Sequence, residues 1–201
     1  MGLREKKRAS TRKALILAAA TLFGRQKYES VAVEDIAALA NVAKGTLYNY
    51  FPSKEYLAAA VADAQFRQGL PEVERLFAKG KSAIDIIGIL FISGAQWVRQ
   101  NPALARATLS HILQQRFDAF GTQRPVEGYD SLLALILRLV KKAQAENQMR
   151  RDIPAAELAE TLAHLHAQTL WRATQKAGTR TLEKRMRRTF EMALDGMKSA
   201  R

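Results

Sequence analysis

Between Lys44 and Phe51 the chain places small, hydroxyl and amide side chains beside an apolar stripe. At the helical advance of about 100° per residue, Leu47, Tyr50 and Phe51 share one side with Lys44. Gly45, Thr46, Tyr48 and Asn49 fall on the other. These types suit the groove of a duplex. Gly45 lets a helix lie close to a surface, and Thr46 can bond a base edge or touch a thymine methyl. Tyr48 can donate to a phosphate or pack its ring on a sugar, and Asn49 can bond phosphate or a base. Lys54 adds a cation at the start of the following helix. A plain solvated helix carries the same residue types, so these residues alone leave both readings open.

The elements that must position this face read as helices. Leu15, Ile16, Ala19, Ala20, Leu22 and Phe23 predict a first helix over about 10–25. Val33, Ile36, Ala37 and Ala40 repeat at i, i+3, i+4 and i+7, which predicts a second over about 33–40. Asn41 tolerates the left-handed conformation and ends it. A third helix over about 44–50 follows, closed by Pro52, and Ser53 is an N-cap for a fourth from Lys54. Two short helices joined by a tight turn and packed on a preceding helix form a helix-turn-helix.

Over about residues 10–57 the chain closely resembles the DNA-binding signature of TetR-type transcriptional regulators. The resemblance rests on Ile16–Phe23, Tyr28, Asp35-Ile36-Ala37, Val42, Lys44-Gly45-Thr46-Leu47-Tyr48, Tyr50-Phe51 and Ser53-Lys54-Glu55. The chain departs from the common pattern at Lys27, where Gly usually stands, at Ala32 and Ala43, where a hydroxyl cap is usual, and at Asn41, often Gly. Each missing cap forgoes about 1 kcal/mol, and no DNA contact is carried over to Ala32 or Ala43. The resemblance implies that the 44–50 helix enters the major groove. The candidate contacts are Lys44, Gly45, Thr46, Tyr48, Asn49, Tyr50 and Lys54, with Arg8 and Arg12 from a flexible basic arm that also holds Arg4, Lys6, Lys7 and Lys13. A solvated tail is the other reading of that arm.

Beyond Ser53 the pattern stays helical: a fourth helix toward Lys79, bent or broken at Gly69 and Pro71, then helices near 82–99, 102–117, 126–147, 154–177 and 181–198. The expected fold is all-α with about nine helices: a DNA-binding domain at 1–53 and a ligand-binding and dimerisation domain at 54–201. The resemblance implies an effector pocket in the larger domain. Candidate lining residues are Phe91, Trp97, His111, Phe117, Tyr129, His164 and Trp171, each of which core packing would also explain. It further implies a dimer through the last two helices. Their stripes, Leu158, Leu162, Leu165 and Thr169, and Leu182, Met186, Phe190, Ala193 and Met197, fit a four-helix bundle or an intrachain core. Arg180, Lys184, Arg187 and Arg188 line the opposite side of the last helix, as a solvated face does.

Composition sets the outer limits. The 201 residues carry 32 Lys+Arg against 19 Asp+Glu and no Cys, which excludes disulfides and Cys-ligated metal sites. Residues 1–60 hold ten Lys/Arg and five Asp/Glu, the remainder 22 and 14, so the basic excess is not confined to the reading segment. His164 and His166 diverge on their helix, and no Ser-His-Asp or paired-carboxylate set stands out, so no metal, cofactor or catalytic residue is expected. No apolar run approaches the ~20 residues of a membrane span. The run LILAAATLF lacks a cleavage signature, so no signal peptide is expected. The expected function is a cytoplasmic, ligand-responsive repressor. Its homodimer binds a palindromic double-stranded operator and is released by a small-molecule effector of unknown identity. The alternative is a helical small-molecule binding protein without specific operator binding.

Overall fold

The computed structural model describes residues 2–118, 126, 128–175 and 181–198, with the side chains of 116–118 left out. Among the described residues the chain forms nine α-helices and one 3-10 turn: α1 (Leu3–Arg25), the turn Tyr28–Ser30, α2 (Val33–Leu39), α3 (Lys44–Tyr50), α4 (Lys54–Ala78), α5 (Ala83–Gln100), α6 (Pro102–Asp118), α7 (Asp130–Ala145), α8 (Ala155–Gln175) and α9 (Leu182–Met197). The only pairing of extended backbone among these residues is an isolated bridge between Met149 and Lys198.

Two hydrophobic clusters organise these helices. The N-terminal one gathers Leu15, Ala19 and Phe23 of α1, Ile36 and Ala37 of α2, Leu47 of α3 and Phe51. Leu57, Ala58, Ala60 and Val61 of α4 belong to it too, and so does Leu104 of α6. The larger cluster is built from α4 to α9 and contains Val73, Ile87, Phe91, Ile136, Leu139, Leu162 and Met186. α4 therefore has its first turns in one cluster and its last turns in the other. The boundary expected at Ser53 separates chain segments, but the N-terminal core extends past it into α4.

Several local signals act as read. Asn41 adopts φ 54°, and the Val42 amide donates to the Ala37 carbonyl at 3.0 Å, closing α2. Ser53 Oγ accepts from the Tyr56 amide at 3.2 Å, while neither Ala32 nor Ala43 supplies a side-chain cap. Gly80, at φ 78°, ends α4, with the Lys81 amide donating to Leu76.

Two expectations need correction. α4 neither breaks nor stops at Gly69 and Pro71: it is helical throughout, because Pro71 lies on an exposed side where water can solvate the carbonyl it leaves without an amide. The basic arm is not a flexible tail: helix begins at Leu3, and the Gly2 amide donates to Glu5 at 2.9 Å. Arg4, Lys6, Lys7 and Arg8 are exposed on that first turn and a half. No helix among the described residues is long and apolar enough to cross a membrane.

Candidate nucleic-acid interface and inner cavity

The helix-turn-helix is held by its apolar sides. Leu47 and Phe51 are fully buried against α1 and α2, which turns the opposite side of α3 outward. Gly45, Tyr48 and Asn49 are exposed there, Tyr48 at 42 %, and Thr46 and Tyr50 are half-buried at its edges. A Cβ built on Gly45 meets nothing within 4 Å, so the backbone of α3 is bare at that point. The structure thus gathers Gly45, Thr46, Tyr48 and Asn49 on one presenting face.

The cations around this face differ in their freedom. Lys44 is exposed, not turned inward, and is ion-paired with Glu34 across the turn. That contact raises the Lys44 pKa and lowers that of Glu34. A phosphate at Lys44 therefore has to compete with a carboxylate. Lys54 lies over the Tyr28 ring at 4.4 Å and donates to the Glu29 carbonyl at 3.4 Å. Desolvation there lowers its pKa, while Glu55 and Glu29 oppose the shift. Tyr28 in turn packs on Phe23 at 5.1 Å and donates to Glu55 at 3.5 Å. Burial, then Glu55, pushes its hydroxyl pKa up, so it stays a neutral donor. Arg12 is half-buried with its guanidinium over the Phe51 ring at 5.1 Å, so it braces α1 against the end of α3. Arg8 is exposed one turn earlier.

A cavity of about 270 Å³ opens inside the larger cluster. Its walls come from α4 to α8 and the segment before α7, and they are overwhelmingly apolar: Phe66, Leu90, Trp97, Leu109, Ile112, Leu132 and Leu170. Among the described residues no Lys, Arg, Asp or Glu lines it. Trp97 is in this wall and also packs against both hydrophobic clusters. Gly128, at φ 84°, is another wall residue, and a Cβ there would stand 3.1 Å from the Ala59 carbonyl of α4.

Of the residues read as pocket candidates, Trp97 and Tyr129 line this cavity. Four others do not. Phe91 sits behind the wall, its ring 5.2 Å from Phe190. His111 packs on Tyr56 at 4.8 Å, and His164 is exposed beside Tyr129. Trp171 donates to Ser110 Oγ at 3.3 Å and faces an outer groove. They miss the cavity because burial on an amphipathic helix does not say which neighbour fills the space. Phe117 lies outside the described side chains. Thr108, Gly94 and His166 are wall residues that the sequence reading missed. The signal for His166 was present: Leu162, His166 and Leu170 stand four apart on one helical face.

The proposed dimer stripes are also reassigned. Leu158, Leu162, Met186, Phe190 and Met197 are buried in the chain's own core, with Leu182, and Leu165, Thr169 and Ala193 are half-buried. α8 and α9 lay the buried members and Ala193 on α5, α7 and each other, so Leu158, Leu162, Leu182, Met186, Phe190, Ala193 and Met197 are intrachain packing, while Thr169 faces outward. The outer faces of α8 and α9 instead form a groove lined by Thr169, Trp171, Arg172, Gln175, Arg185 and Thr189. Lys184, Arg187 and Arg188 are exposed, as read, and Arg180 lies outside the described residues. Among the described residues no cluster of three potential metal ligands occurs.

Residues 15–61 match the model of the family described as bacterial regulatory proteins, tetR family. The transcriptional repressor KstR of Mycobacterium tuberculosis is 23 % identical over 190 residues, covering 94 % of this chain and 83 % of that protein. KstR of Rhodococcus jostii is 24 % identical over 188 residues, covering 91 % and 82 %. Among solved structures, Thermus thermophilus FadR, a TetR-family repressor in complex with lauroyl-CoA, superposes with a TM-score of 0.75 at 22 % identity, over 94 % of this chain and 96 % of that one. Residues 15–61 are thus similar to the tetR family of bacterial regulatory proteins, and the chain as a whole has the fold of the Thermus structure.

Proposed function

We propose that this protein is a ligand-responsive transcriptional repressor. As a homodimer it binds a palindromic double-stranded operator, and a small molecule entering the inner cavity releases it. The observation that carries this reading is one connected arrangement. An outward Gly45–Asn49 face sits on a helix-turn-helix whose core shares α4 with the walls of an apolar cavity. The naming of the KstR relatives as repressors and the lauroyl-CoA held by the Thermus protein support it. The setting is the cytoplasm, where an operator is reached.

α4 is the coupling element. It is one 25-residue helix with Leu57–Val61 in the reading head and Phe66 in the cavity wall. A side chain at Gly128 would meet its backbone at the Ala59 carbonyl, and Trp97 packs against both cores. A ligand that widens the cavity pushes on these contacts and tilts the head. It shifts the equilibrium only by its differential affinity for the two states, typically about 1–3 kcal/mol. Two heads must sit about one duplex turn apart, near 34 Å, to read both half-sites. The outer faces of α8 and α9, with exposed Met192 and the Thr169–Thr189 groove, are the surface left for the second copy.

The test is a comparison of DNA variants and salt. Tyr48→Ala and Thr46→Ala should weaken binding to a selected genomic fragment by about tenfold or more while leaving random-sequence binding nearly unchanged. Arg8→Ala should weaken both and reduce the salt slope by about 1. Equal losses on selected and random DNA for Tyr48→Ala would remove α3 as the reading helix.

A further inference from the structure

We infer that the ligand of the inner cavity is an uncharged, largely apolar molecule carrying one hydrogen-bond donor, and that His166 Nε2 accepts from that donor, with Thr108 Oγ1 as a second polar atom of the same cavity lining. This rests on the repressor reading only in calling the molecule an effector; the binding chemistry stands on the cavity itself.

The walls decide the body of the ligand. Apolar side chains from five helices face a space of about 270 Å³, and among the described residues no charged side chain joins them. A carboxylate or phosphate placed inside would lose its hydration with no cation to replace it. An apolar body gains from the same transfer.

Two polar atoms decide the specificity. His166 Nε2 and Thr108 Oγ1 are buried with no hydrogen-bond partner among the described residues. Their residues are 7 % and 1 % exposed, and both line the cavity. Buried polar atoms are nearly always paired, so two in one apolar wall ask for a partner that enters from outside. The protonation of His166 narrows that partner. Its ring bonds the Leu90 backbone, and because Nε2 has no partner, Nδ1–H is the donor to the Leu90 carbonyl. Burial lowers its pKa to about 4, so the ring is neutral near pH 7. In that tautomer Nε2 carries a lone pair and no proton, and only a donor satisfies it.

The surroundings hold this orientation. Phe91 packs edge-on to the imidazole at 5.0 Å. A Cβ on Gly94 would stand 2.6 Å from Nε2 and 2.9 Å from Leu170 Cδ1, so the glycine leaves the space into which the ring and Leu170 fit. Nε2 is covered by these neighbours, so the proposed contact requires Leu170 to move aside. Thr108 Oγ1 is a hydroxyl, able to accept or donate, and complements either lone pair or proton of a ligand hydroxyl.

The experiment uses the full chain and a matched set of probes: decan-1-ol, decyl methyl ether, decanoate and lauroyl-CoA. Binding is followed by Trp fluorescence and calorimetry at pH 7.5. Wild type should bind decan-1-ol about tenfold more tightly than the ether, and decanoate and lauroyl-CoA more weakly than the alcohol. His166→Asn places an amide N–H near Nδ1, keeping the Leu90 bond, and removes Nε2. It should bind alcohol and ether alike, with unchanged circular dichroism. Thr108→Val should narrow the preference in the same direction. An equal preference in wild type and His166→Asn overturns the inference. So does tighter binding of either anion, or no binding of any probe. Operator binding without ligand is scored separately. A chain that binds a selected fragment yet lacks the donor preference refutes this inference alone. A chain with the preference and no specific fragment refutes the repressor reading alone.

Discussion

The neutral state of His166 has a consequence for stability that can be measured without knowing any ligand. In the unfolded chain an imidazole titrates near 6.5, whereas burial holds the folded His166 at about 4. A depressed histidine pKa means that the unfolded state binds the extra proton first as pH falls. The associated stability is therefore fully present above about pH 6.5 and is lost progressively down to about pH 4. Linkage over that window gives a loss of about 2 kcal/mol by pH 5 and about 3 kcal/mol by pH 4. His166→Asn removes the titration and retains the donor to Leu90, and it leaves His111 and His164 in place. Urea unfolding of both proteins at about pH 7.5 and pH 5 isolates the effect as a difference of differences. Wild type should lose about 2 kcal/mol more than the variant over that interval, whatever the variant's absolute stability. Losses matching within about 0.5 kcal/mol would mean that His166 is protonated or hydrated in the fold. The neutral acceptor at the cavity wall would then be lost.

Three further outcomes follow from particular contacts. Gly94→Ala puts a methyl 2.6 Å from His166 Nε2, on a ring fixed by Leu90 and Phe91; it should cost about 1–3 kcal/mol in urea unfolding and abolish alcohol binding. Gly45→Ala meets open space, so thermal unfolding should show unchanged or up to about 1 kcal/mol greater stability while a mobility-shift assay records weaker operator binding. Lys54→Met keeps the aliphatic stem over Tyr28 and removes the cation. Urea unfolding should reveal a loss below about 1 kcal/mol, and binding to selected and random DNA should fall together.

The reading head was legible because its determinants are local. The Val33–Ile36–Ala37–Ala40 stripe, the left-handed Asn41 and the Ser53 cap each act within a few residues of chain. What the sequence could not settle depends on which element fills which space. The Leu158/Leu162 and Met186/Phe190 stripes announce burial, and burial by the same chain looks identical to burial by a second copy until α5 and α7 are placed. His166 stands in the Leu162–Leu170 stripe, yet its role emerges only when Gly94 of α5 comes beside it and Thr108 of α6 joins the same cavity lining. Charge misled at the N-terminus: the basic residues 4–13 suggested a tail, but helix propensity and the Gly2–Glu5 contact carry α1 back to Leu3. Pro71 misled in the opposite sense, because it lies on an exposed side where water can solvate the carbonyl it leaves without an amide.

The central claim is that one outward face of α3 reads a specific duplex and that occupancy of the inner cavity ends the reading. Selection of genomic fragments bound by the purified chain at physiological salt, with and without decan-1-ol, tests both halves at once. The account predicts enrichment of a palindromic fragment bound by two chains, at least 10³-fold tighter than random DNA, and its release when the alcohol saturates the cavity. Fragments bound no better than random DNA, or a specific complex indifferent to a saturating cavity ligand, would contradict it.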